Sequence, residues 1–163
     1  MCGISGFYHP KKDYTQQTNR YEDILHSMNQ ALWHRGPDDS GTFLCQYAGL
    51  GHARLEIVDL LTGHQPMLKT VNDLTWAIVY NGELYNTMEL RQDLVSLGYS
   101  FQTSSDTEVL LTAYQEFGPD FVKLLNGIFA FAILDTARHS LMLCRDRAGV
   151  KPLFYTTCEE EII

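Results

Sequence analysis

A chain of 163 residues with 12 basic and 20 acidic side chains carries a formal net charge of −8, which argues against a nucleic acid or an anionic membrane as partner, since either favours a basic face. The length suits one domain able to bury about 68–70% of the surface its unfolded form exposes. Four cysteines, Cys2, Cys45, Cys144 and Cys158, stand apart without a CxxC pair, so neither a zinc ribbon nor a thioredoxin-like motif is indicated, and free thiols point to a reducing, cytoplasmic setting. The start lacks the basic region and apolar run of a secretory signal, and no apolar stretch nears membrane-spanning length.

Residues 2–8 (CGISGFY) predict a short buried strand, followed by a polar loop at His9-Pro10-Lys11-Lys12-Asp13. From Tyr21, the spacing of Ile24, Leu25, Met28 and Leu32 predicts an amphipathic helix ending near Trp33. His34-Arg35-Gly36-Pro37-Asp38-Asp39-Ser40-Gly41 has loop chemistry. Segments 42–47 and 50–58 predict paired strands around Ala48-Gly49, and Gly63 to Pro66 a turn leading into Met67. Residues 75–80 (TWAIVY) predict an inner strand that stops on Asn81-Gly82-Glu83, where a hairpin turn is one reading. Asn86 is a candidate cap for a helix carrying Leu90, Leu94 and Leu97 and ending at Gly98. Ser104 to Glu108 precedes a second helix, stopped by Gly118-Pro119. Residues 128–134 and 140–144 predict a hairpin, and a last strand starts near Pro152-Leu153-Phe154-Tyr155 before a turn at 158–161. Many strands with helices in two blocks predict an α+β fold of two sheets with helices outside them.

Cys2 places a thiol one residue from the start. Removal of Met1 by an aminopeptidase would leave Cys2 with both a nucleophile and an α-amine, whose reference pKa of roughly 7.7–8.0 suits a base near neutrality. The competing reading is a small buried hydrophobe. Arg54 offers a bidentate fork for a carboxylate, or is a surface arginine on a strand. Asp106 offers a charge for an ammonium, or a helix cap. Asn81 and Gly82 offer a side-chain amide and a backbone N–H to a developing oxyanion, where one lost donor costs about 2.7–4 kcal/mol, or they form a turn. Glu83 and Arg35 lie in glycine-containing loops, where charge is mostly solvated. The six histidines are scattered, so no Cys-His dyad and no metal cluster follows.

Taken together, MCGISGF at 1–7, HRGPDDSG at 34–41, GHARLEIVDL at 51–60, QPM at 65–67, YNGELYN at 80–86, SSDTEVLL at 104–111, LNGIFAFAILD at 125–135 and RDRAGVKPLFY at 145–155 resemble the class II glutamine amidotransferases. The resemblance is closest to the N-terminal glutaminase domain of glutamine-dependent asparagine synthetases. It implies a four-layer αββα N-terminal-nucleophile hydrolase sandwich with two antiparallel sheets. It also implies that Cys2 attacks the side-chain amide of L-glutamine, with Asn81 and Gly82 as the oxyanion hole. Arg54 would then hold the substrate carboxylate, and Asp106 and Glu83, with backbone groups of Leu55, Ile57 and Val58, the ammonium. Arg35 would lie in a loop closing over the substrate. The glutaminase step needs no cofactor or metal. ATP and Mg belong to a synthetase domain, whose SGGxDS-like loop this sequence lacks, so residues 1–163 read as a single glutaminase domain truncated at its C-terminus. An exposed apolar face is expected where that partner domain packs. A homodimer of the full-length protein stays open, as does a catalytically uncoupled glutamine-binding or assembly module.

Overall fold

Small and apolar residues after Cys2 form β1 (Gly3–Tyr8), a strand flanked by β3 (Ala48–Arg54) and β9 (Glu161–Ile162). With β2 (Asp39–Cys45) and β8 (Thr157–Cys158) they make an antiparallel sheet of order β2-β3-β1-β9-β8. The structure is a computed structural model and describes residues 1–55 and 63–163. A second antiparallel sheet has the order β4 (Met67–Val71), β5 (Leu74–Leu84), β6 (Gly127–Asp135) and β7 (Ser140–Arg145).

Side chains alternate between the faces of a strand, and this parity builds the layers. From β3, β5 and β6, Ala48, Leu50, Ala77, Val79, Ala132 and Leu134 fill the space between the sheets. The opposite parity, Ile78, Phe131 and Ile133, packs outward with Leu90 and Leu94 of α2 (Thr87–Ser96) and Leu110 of α3 (Asp106–Phe117). Phe7 packs with Tyr14, Tyr21 and Leu25, the last two on α1 (Thr18–Ala31), on the outer face of the first sheet. The result is the four-layer αββα sandwich, in which each fully buried large apolar side chain contributes about 1.5–3 kcal/mol. Between the sheets an apolar groove of about 190 Å³ opens, lined among others by Leu50, Val79, Leu143 and Phe154.

Several boundaries differ from the sequence reading. β5 does not stop at Tyr80: its ladder with β6 runs from Trp76↔Asp135 to Leu84↔Gly127, with Asn81 opposite Ala130 and Gly82 opposite Phe129. Cross-strand pairing thus overrides the turn preference of Asn-Gly. The turn between β2 and β3 falls at Gln46-Tyr47 rather than Ala48-Gly49. Gly49 is a strand residue in close contact with the Phe7 ring, where a Cβ would lie 2.5 Å from Cζ. β4 is a full hairpin partner of β5, and its turn uses Asn72 and Asp73 with φ of 50° and 64°, the left-handed pair such two-residue turns require. β2 begins at Asp39, inside the predicted loop, and α1 begins three residues before Tyr21. Residues 152–156 form no strand, and Phe154 stands 90% exposed; the terminal hairpin is instead 157–162. Asn86 occupies the cap position of α2 without capping it, its side chain bonding Leu124 O and Asn126 N. Ser105, not Asp106, caps α3 by accepting from Glu108 N.

Candidate active site

Parity also decides what meets at one end of the sandwich. Cys2 shares the parity of Ile4, which packs between the sheets, and Arg54 that of Leu50 and Ala48. Asn81 shares that of Val79 and Ala77. All three side chains therefore turn toward a single cavity of about 430 Å³, whose lining includes Cys2, Arg54, Leu55, Asn81, Gly82, Glu83 and Asp106. Arg54 and Asn81 are buried, Cys2 is half-buried, and Glu83 is exposed at the rim. The Cys2 thiol donates to Leu55 O at 3.8 Å.

Beyond Met67, β4 turns away and leaves one edge of β5 without a strand partner. Alternate residues of β5 present their backbone groups to that edge. Tyr80 N–H donates to Gln65 Oε1 at 2.6 Å, and Leu84 N–H to Asp106 Oδ2 at 3.2 Å. Gly82 lies between them on the same edge. Its cross-strand neighbour Phe129 spends both backbone groups on Asp146, so the Gly82 N–H points to the cavity. A Cβ at Gly82 would lie 2.4 Å from Ile128 O and 2.7 Å from Phe129 Cβ, so the strand admits only glycine at this point.

Asp106 sits at the first turn of α3, where an anion is favoured. Its Oδ2 accepts from the Tyr80 hydroxyl at 2.8 Å as well as from Leu84 N–H. Burial nevertheless raises its pKa above the ordinary carboxylate value, outweighing these bonds. Burial likewise pushes the Tyr80 phenol far up. Burial pushes the thiol pKa of Cys45 and of Cys144 up, which favours the protonated thiol over the nucleophilic thiolate.

Two sequence-predicted residues, Ile57 and Val58, lie outside the described residues. Arg35 is not part of the cavity lining; its Nε donates to the Cys2 carbonyl at 3.2 Å. The loop that carries it is pressed against the end of β3, where a Cβ on Gly36 would lie 2.3 Å from Ala53 O. The cavity is also lined by Gln65, Tyr80, Thr107 and Lys151, to which the sequence reading gave no role. All four lie within the quoted motifs QPM, YNGELYN, SSDTEVLL and RDRAGVKPLFY, but no motif says which of its side chains lines a cavity.

A family profile described as "Glutamine amidotransferase domain" matches residues 1–163. Among relatives, the chain is 47% identical over 156 residues to "Asparagine synthetase [glutamine-hydrolyzing] 3" of Bacillus subtilis (strain 168), covering 96% of this chain and 25% of the relative. It is 42% identical over 162 residues to "Asparagine synthetase [glutamine-hydrolyzing] 1" of the same organism, covering 99% and 25%. The chain thus spans about a quarter of the length of these curated relatives. A solved structure of glutamine phosphoribosylpyrophosphate (PRPP) amidotransferase from B. subtilis, complexed with ADP and GMP, superposes with a TM-score of 0.71 at 24% identity, over 99% of this chain and 41% of that one. This likeness carries the fold.

Proposed function

Because the chain belongs to the glutamine amidotransferase domain family over its whole length, we propose that it hydrolyses L-glutamine to glutamate and ammonia through Cys2. The observation that carries the reading is the convergence of Cys2, Arg54, Asn81, Gly82 and Asp106 on one cavity. With Met1 removed, the Cys2 α-amine takes the thiol proton as Sγ attacks the amide carbon. The Asn81 side chain and Gly82 N–H stabilise the resulting oxyanion. The amine then returns the proton to the leaving nitrogen, ammonia departs, and a γ-glutamyl thioester remains. Water, deprotonated by the same amine, adds to the thioester carbon; Cys2 sulfur leaves and glutamate is released.

Arg54 takes the substrate carboxylate through paired N–H donors, and Asp106 with Glu83 and the Leu55 backbone takes the ammonium. Holding both charged ends fixes the amide over sulfur, which converts binding energy into orientation. Asparagine, one methylene shorter, cannot place its carbonyl between sulfur and the donors. Arg35 supports the nucleophile through the Cys2 carbonyl.

The ammonia is proposed to serve asparagine synthesis by an ATP-using domain or subunit, following the names of the relatives. ATP and Mg act in that partner and not in the glutaminase step. Free thiols support a cytoplasmic setting, and among the described residues no helix is long and apolar enough to cross a membrane. The test is glutamate release from L-glutamine by Met1-free protein and by Cys2→Ala. Release by the former and loss of at least about 10³-fold in the latter supports the reading; equal rates in both would refute it.

A further inference from the structure

Tyr80 immediately precedes the Asn81-Gly82 pair, and each of its three polar groups is held by a side chain from elsewhere. Its N–H donates to Gln65 Oε1 at 2.6 Å, and its hydroxyl donates to Asp106 Oδ2 at 2.8 Å. Its carbonyl lies 3.2 Å from His52 Nε2 on the opposite sheet. A carbonyl only accepts, so Nε2 carries the proton in that contact. Gln65 continues to Thr107 Oγ1 at 3.4 Å, making a second tie between the β5 edge and α3. The Tyr80 ring is 3% exposed within the outer apolar core. Phenylalanine would fill that space as well, so packing explains the ring but not the hydroxyl.

We infer that Tyr80 is a positioning residue for glutamine recognition. Its hydroxyl orients the Asp106 carboxylate toward the substrate ammonium, and its backbone ties that end of the substrate to the oxyanion donors that follow it in sequence. The inference rests on the glutaminase reading and adds a residue and a coupling to it. Two opposing influences make the hydroxyl matter: burial raises the Asp106 pKa, while the bonds from Tyr80 and Leu84 lower it. Removing the phenol leaves burial less opposed, so Asp106 protonates at higher pH and loses its grip on the ammonium. The other charged or titratable side chains lining the cavity around it are Cys2 just before β1, Arg54 on β3, Glu83 on β5 and Lys151 after β7. None of them replaces a phenol bonded at 2.8 Å.

The experiment compares Met1-free wild type with Tyr80→Phe in steady-state glutamate release across pH, with thermal melts to verify that both are folded. The variant is expected to raise KM for L-glutamine about tenfold with kcat within about threefold, because the hydrogen bond it loses is made to a charged group. The acid limb of kcat/KM should move to higher pH. A purely packing role would move neither KM selectively nor that limb. Unchanged KM with an unmoved limb, or a fall in kcat alone, overturns the inference while an active wild type keeps the glutaminase reading. Wild type that releases no glutamate overturns both.

Discussion

Two strands of the second sheet outrun their neighbours, and the two edges are finished in opposite ways. On β6, Phe129 lies beyond the end of β7, and the loop after β7 seals it. Asp146 N–H donates to Phe129 O at 2.8 Å, and the Asp146 carboxylate accepts from the N–H groups of Phe129, Val150 and Lys151 at 3.2, 2.9 and 2.9 Å. Burial pushes this carboxyl up, but the surrounding N–H groups outweigh it and hold it below the usual range. On β5, Gln65 and Asp106 take the N–H groups of Tyr80 and Leu84, and the Gly82 N–H between them is left facing a cavity. Here burial wins, and Asp106 stays above the usual range. A carboxylate surrounded by backbone donors serves the fold. One held by fewer donors beside a cavity has capacity left for a cationic ligand.

The sharpest way to break this contrast is at the open edge. Gly82→Ala places a Cβ 2.4 Å from a backbone oxygen; the donor is displaced, and kcat should fall about 10²–10³-fold in a steady-state assay. Asp106→Asn removes the ammonium partner. It should lower kcat/KM for L-glutamine about 100-fold, as truncating one member of a buried charge pair does, with thermal stability nearly unchanged. The sealed edge should behave in the reverse manner. Asp146→Ala orphans the buried Phe129 N–H and removes the acceptor of the more exposed Val150 and Lys151 N–H groups, and should cost about 2 kcal/mol in urea unfolding, while KM of the folded fraction moves less than about threefold. An Asp146 variant that is stable but inactive would erase the distinction.

The smallest effect at neutral pH concerns His52, which supports the Tyr80 carbonyl. Burial depresses its pKa from 6.5 to about 4, and its Nδ1 has no hydrogen-bond partner among the described residues. The unfolded chain therefore takes up a proton at higher pH than the folded one. Stability is unaffected above about 7 and should fall by on the order of 3 kcal/mol as pH drops from about 6.5 to about 4. His52→Gln should flatten that slope, measured as urea midpoints against pH.

The layers were readable in the sequence because apolar periodicity reports which face is buried: β1, the β6–β7 hairpin and all three helices appear where the pattern puts them. Cys2, Arg54, Asn81, Gly82 and Asp106 were readable as a set through their motifs, and each separately had an ordinary structural explanation. What escaped was long-range in origin. The extension of β5 through Asn-Gly depends on its ladder with β6, and the roles of Gln65 and Tyr80 depend on where β4 turns away from that ladder. The resemblance put Arg35 in a loop closing over the substrate, and local chemistry could not show that its guanidinium also reaches the carbonyl of residue 2. Asp106 looked like a cap because Ser105, one position earlier, performs that task without any stronger local signal.

Covalent catalysis by an N-terminal Cys2 can be observed by acid quenching Met1-free protein during turnover of L-glutamine, followed by mass spectrometry. The expected result is a γ-glutamyl group on the peptide that begins at Cys2, absent from Cys2→Ala and enriched when thioester hydrolysis is slowed. Steady glutamate release with no adduct at Cys2, or with the adduct on Cys45, Cys144 or Cys158, would contradict it.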